Sequence, residues 1–145
     1  MPVLREMVSC YVRRFSGWTR LCNTIADCLG VRKEDILSLN EDGDPAAYID
    51  ARTQHGDFEI VLEIFVDTLR APAFQDKTSF LKSMSRSLGE DILYDDGASC
   101  NPYRWVLMTP DGTRFEVFEG PDAQSPDLRI DPEIPPRQLE DIERR

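Results

Sequence analysis

The chain has 145 residues, 41% hydrophobic and 30% charged, the composition of one globular domain with a single core and not of a disordered chain. Seventeen Lys and Arg against 27 Asp and Glu give a formal charge of −10, which repels nucleic-acid phosphate and anionic membranes and argues against both as direct ligands. No apolar run is long enough for a signal-peptide core or a membrane span, and Cys10, Cys22, Cys28 and Cys100 make neither a CxxC pair nor, with the lone His55, a zinc set. Buried, reduced thiols and a cytoplasmic address are the expectation.

Residues 3–15 fit a helical stripe through Leu4, Val8, Tyr11 and Phe15, and also a strand through Val8, Cys10 and Val12. The strand is favoured because Ser16, a good N-cap, opens a helix over 17–29, with Trp18, Leu21, Cys22, Ile25, Ala26 and Leu29 on one face and Gly30 at its end. A short helical turn follows around Lys33 to Leu37, then a polar acidic loop from Asn40 to Pro45. AAYIDAR and FEIVLEIFV, separated by a turn at 54–57, form the clearest hairpin. In its second strand Phe58, Ile60, Leu62, Ile64 and Val66 point to the core, whereas Glu59, Val61, Glu63 and Phe65 point away.

Beyond Ala71-Pro72-Ala73, Asp76 or Thr78 caps a second helix with Phe80, Leu81, Met84 and Leu88 on its apolar face, ending at Gly89. Strands follow at 91–94, 103–108 and 114–118, the last two joined through Pro110-Asp111-Gly112. The order is β-α-β-β-α-β-β-β. Consecutive hairpins and two amphipathic helices define an α+β two-layer sandwich, a mostly antiparallel sheet with both helices on one face. Residues 1–119 make this single domain, and 120–145 form an acidic, Pro-rich C-terminal tail, extended or partly disordered, with a last turn at 138–143.

No nucleophile with a base, no metal cluster and no phosphate-cradling glycine loop appears, so no catalytic residue, metal or cofactor is assigned and the chain reads as a non-enzyme. His55, in a tight turn beside Gly56, reads as a solvent-facing loop residue. The acidic stretches EDGD and YDDG lack the ligand spacing of a calcium loop. Binding remains. Its candidate residues are the loop acids Glu41, Asp42, Asp44, Asp95 and Asp96, the outer-face acids Glu59 and Glu63, and Tyr103 and Arg104, residue types common at interface hot spots; Trp105 beside them reads equally as a core aromatic.

The succession Tyr11-Val12-Arg13-Arg14-Phe15-Ser16-x-Trp18, Ile25-Ala26-x-x-Leu29-Gly30-Val31, Leu88-Gly89, and Asn101-Pro102-Tyr103-x-Trp105-Val106-Leu107 with Pro110-Asp111-Gly112 resembles small bacterial immunity proteins. These accompany the toxins of polymorphic or contact-dependent systems, and the resemblance spans roughly residues 8–118. It implies an antitoxin that occludes the active site of a cognate toxin and catalyses nothing itself; it assigns no site residue. An anionic inhibitor is steered toward a toxin with a basic cleft. The alternative is an adaptor or chaperone for a secreted effector.

Overall fold

The computed structural model describes residues 5–120 and 128–139. Strand β1 (Glu6–Val12) leads into helix α1 (Trp18–Leu29); a 3-10 turn (Lys33–Asp35) precedes β2 (Ile36–Ser38); β3 (Ala47–Thr53) and β4 (Ile60–Val66) form the hairpin; helix α2 (Lys77–Leu88) is followed by β5 (Ile92–Tyr94), β6 (Arg104–Met108), β7 (Arg114–Phe118) and the short β8 (Arg137–Gln138). The strands make one eight-stranded sheet, β2-β3-β4-β1-β5-β6-β7-β8, parallel only between β2 and β3. The class is α+β, with the helices on one face.

Alternation explains the layering. Val8, Cys10 and Val12 of β1, Ile60, Leu62, Ile64 and Val66 of β4, Ile92 and Tyr94 of β5, and Val106 and Met108 of β6 meet Leu21, Ile25 and Leu29 of α1 and Phe80, Leu81, Met84 and Leu88 of α2 in one buried cluster. A strand puts every second side chain on one face and a helix every third or fourth, so both periods converge on one apolar layer. Each helix stops at a glycine in the left-handed region, Gly30 at φ 72° and Gly89 at φ 67°. At Gly30 an added Cβ would also stand 3.1 Å from the Ala73 Cβ, so the segment entering α2 packs against the end of α1.

Several expectations need correction. Two short strands, β2 and β8, add to the expected order. Ser16 does not cap α1: Gly17 holds the N-cap position at φ 104°, and no side chain caps the end. Trp18, expected on the buried face, is 48% exposed and stacks edge-on against Phe15, with centroids 4.8 Å apart. Phe58 leaves the helix-side row because β4 begins at Ile60; it is buried in a second cluster instead. Of the thiols only Cys10 is fully buried, its pKa pushed by burial to about 12, whereas Cys22 and Cys28 are half-buried and Cys100 is exposed. The final turn expected at 138–143 begins instead within β8 and, beyond Leu139, lies outside the described residues, as do Pro121 and Pro126.

Candidate functional site

The helix-free face of the sheet divides into two halves. Toward β7, residues 128–130 cross it: Leu128 is buried with Phe58, Leu93, Leu107 and Val117, and Tyr11, Trp105, Phe115 and Ile130 pack around them. Asp57 fastens this crossing, its N–H donating to the Leu128 carbonyl at 3.1 Å and its carboxylate accepting from the Ile130 N–H at 2.8 Å. The chain then pairs along β7 as β8.

Toward β2 no segment among the described residues crosses the same face, whose side chains are half-buried to exposed. Register aligns Leu37 with Tyr48, Tyr48 with Phe65 and Phe65 with Met7, giving an apolar row across four strands. None of the four belongs to either buried cluster, and Met7 is 46% exposed. The Arg5 guanidinium lies 4.8 Å from the centroid of the Tyr48 ring, and Tyr48 donates to the Gly43 carbonyl, so the ring is anchored at both its face and its hydroxyl. Two residues along each strand comes a polar row, Asp50 opposite Glu63 and Glu63 opposite Ser9. Among the described residues neither Asp50 nor Glu63 has an ion-pair or hydrogen-bond partner. A third row, Arg52, Val61 and Tyr11, continues into the covered half.

The residues singled out from sequence fall into separate places. Loops 40–45 and 95–103 run toward the same end of the sheet, from the start of β3 and the end of β5, three strands apart. Asp44 is occupied by Arg70 at 2.9 Å and Arg5 at 3.4 Å, although it remains 75% exposed. Asp67, almost fully buried, anchors Arg70 at 2.7 Å, and that contact holds the Asp67 carboxyl below its ordinary range. Glu41 folds back to accept from the Ser38 N–H at 3.1 Å, while Asp42 is exposed and unpartnered among the described residues.

In the second loop Asp95 accepts from the Gly97 N–H at 2.8 Å and faces solvent. Asp96 does not: it pairs with Arg104 at 2.7 Å, and Arg104 also reaches Glu116 at 2.7 Å. Tyr103 is exposed. Glu59 lies outside β4 and accepts from the Phe15 N–H at 3.3 Å, so it does not share the open face with Glu63. Trp105 is packed in the second cluster and donates its indole N–H to Glu119 at 3.1 Å. Asp50 escaped sequence reasoning although Tyr48, Asp50 and Arg52 alternate; its importance appears only once register sets it against Glu63.

His55 is exposed in its loop. Burial pushes the Tyr94 phenol upward, opposed by Arg114 and Thr78 beside it. Among the described residues no three His, Cys, Asp or Glu side chains converge on a metal-holding position, and no helix is long and apolar enough to cross a membrane. The surface defined by this geometry is a sheet half that carries an apolar row beside an acidic one. Comparison with protein families, with curated proteins and with solved structures found no match to this chain.

Proposed function

We propose that this protein is an immunity protein: it binds a cognate bacterial toxin domain in the cytoplasm, covers its active site, and catalyses no reaction of its own. The observation that carries the reading is the row of half-buried Leu37, Tyr48 and Phe65 with exposed Met7, outside both buried clusters, on a sheet whose other half is crossed by residues 128–130. Apolar side chains partly open to water across four strands gain stability when a partner covers them, and apolar surface of this kind marks interaction sites. The charge of −10 favours a partner with a basic cleft and accelerates the encounter. Asp42, Asp95 and Tyr103 reach solvent at the sheet end and are available for outer contacts, whereas Asp44, Asp96 and Arg104 set the loops that carry them.

Co-expression with each toxin-like domain encoded beside its gene tests the reading. Restored growth against one otherwise lethal domain, lost on Phe65→Glu in a variant that still folds, is the expected result. The same face would serve an adaptor or chaperone of a secreted effector, which would alter the effector's solubility or secretion and leave toxicity unchanged. That outcome discards immunity.

A further inference from the structure

We infer that the sheet end at which β1 and β3 begin is a docking surface for a basic protein, and that Leu69 enters an apolar pocket of that partner. The inference rests on the binding role proposed above and carries its surface around Met7 onto the end of the sheet.

Six large apolar side chains among the described residues stand open to water, and four of them meet at this end. Glu6 lies opposite Val66 and Val66 opposite Ala47, so the finish of β4 lies here too, with the exposed Met7 one residue in and Leu69 in the turn just beyond. β6 starts and β7 finishes at the same end, because Tyr11 of β1, Leu93 of β5, Leu107 of β6 and Phe115 of β7 are successive antiparallel partners. Tyr103 precedes β6, its carbonyl accepting from the Glu119 N–H, and Glu119 bridges to Ile130, which brings the turn bearing Ile134 alongside. Leu39 follows the edge strand β2, and Trp18 opens α1 at the far end.

Leu69 is the extreme case, 94% exposed, and its turn is fixed. The nearly buried Asp67 accepts from the Leu69 N–H at 3.1 Å and from Arg70 Nε at 2.7 Å, and Arg70 reaches across to the Asp44 and Pro45 carbonyls at 2.8 and 2.6 Å. A charged group withdrawn from water thus holds an apolar side chain out in it. That exposure adds no burial to the fold, and a turn ordered before contact loses little entropy on binding, as an anchor requires.

Charge selects the occupant. Glu6, Asp42, Asp95 and Glu133 are exposed around these side chains, and the Asp44 side chain is 75% open. Arg5, Arg70 and Arg104 are turned onto the chain's own carbonyls and carboxylates, so the exposed cation without a carboxylate in this part of the sheet layer is Arg129, among the described residues. The helix layer is balanced here, where Arg32, Lys33 and Lys77 stand among Glu34, Asp35 and Asp76. Such an end attracts a basic protein surface and repels an anionic membrane or a second copy bearing the same acids.

The test uses the full chain with a benzoylphenylalanine photo-cross-linker in place of Leu69 or, as the control, of His55, expressed in the cell that carries the gene. The expected result is an adduct from position 69 alone with one other protein, which mass spectrometry identifies as basic. That partner, purified, should bind Leu69→Ser and Asp42→Lys/Glu133→Lys about tenfold more weakly than the unaltered chain, at unchanged melting temperature, with His55→Ser unaffected. An adduct from position 55 or from neither position, an acidic partner, or full-strength binding by either variant would overturn the inference. An adduct with a second copy of this chain overturns it in favour of self-association. Failure of growth protection with the position-69 adduct and both losses of affinity intact removes the immunity reading and leaves this surface standing. Growth protection with full-strength binding by both variants does the reverse.

Discussion

Arg104 and Glu116 lie diagonally across the β6–β7 ladder with Nε 2.7 Å from Oε2, and the other arm of the same guanidinium is 2.7 Å from Asp96. The Arg104 side chain is only 10% exposed, and both carboxylates are 16% exposed. Removing the cation strands two poorly solvated anions, and the remaining contact of Arg137 with Glu116 is solvent-facing. Arg104→Met should therefore lower stability by about 2 kcal/mol, below the full cost of breaking a deeply buried pair because some solvent screens this one. The check is a lower urea midpoint at unchanged m-value.

The same set dictates an acid response. Arg104 holds the Glu116 carboxyl below its ordinary range, with Arg137 adding to it. Burial pushes Asp96 up, yet Arg104 and the Ala98 N–H outweigh it and leave the group lowered. Carboxyls depressed in the folded state contribute stability that is present above their unfolded pKa, about 4, and is lost as pH falls through the folded values. Unfolding free energy from these groups should be flat above about pH 5.5 and decline below about pH 4.5. In Arg104→Met the chief cause of the depression is gone and burial acts on both carboxyls, so this decline should flatten or reverse, measured by denaturant titrations at stepped pH.

The two helix starts behave differently. Asp76 accepts from the Ser79 N–H at 2.7 Å and caps α2, whereas α1 has no side-chain cap. Asp76→Ala should cost about 1 kcal/mol. Ser16→Ala should change stability by less than about 0.5 kcal/mol, as for a surface position. Paired thermal melts decide it, and equal losses would contradict the assignment.

Leu128 closes the second cluster from a short segment otherwise held by hydrogen bonds to Asp57, Phe118 and Gly120 and by Ile130. Leu128→Ala should cost about 2 kcal/mol, at the low end for a buried leucine because the crossing segment can settle into the gap. It should also raise amide exchange at Ile130 and Asp131 before the centre of the sheet, since local opening begins where fewest buried contacts hold the chain.

How much of this was legible in the sequence depends on how local the cause is. β4 is plain because four alternating apolar residues, Ile60, Leu62, Ile64 and Val66, leave one way to lie on a core. β2 is three residues long and becomes a strand only by parallel pairing with β3, a tertiary fact with no periodic signal. The loop over 54–59 is too long for turn type to set register, so neither the swing of Phe58 to the second cluster nor the meeting of Asp50 with Glu63 could be read beforehand. The loop acids were visible as charges, but their arginine partners come from distant segments: Arg70 for Asp44, Arg104 for Asp96.

The placement of β1 between β4 and β5 also shapes how the chain reaches this state. The strand is made before either neighbour, so both its edges stay open until distant sequence arrives, and the entropy of closing those loops precedes the gain from pairing. The β3–β4 hairpin can form early from local contacts and then capture β1 along Glu6 to Val12, completing the half that bears the open face. The β5–β6–β7 meander can then add through the short pairing of Tyr11 and Val12 with Leu93 and Ile92. That two-residue seam is the narrowest junction inside the sheet, as narrow as the edge pairing of β8 with β7, and the two halves should part there under a pulling force.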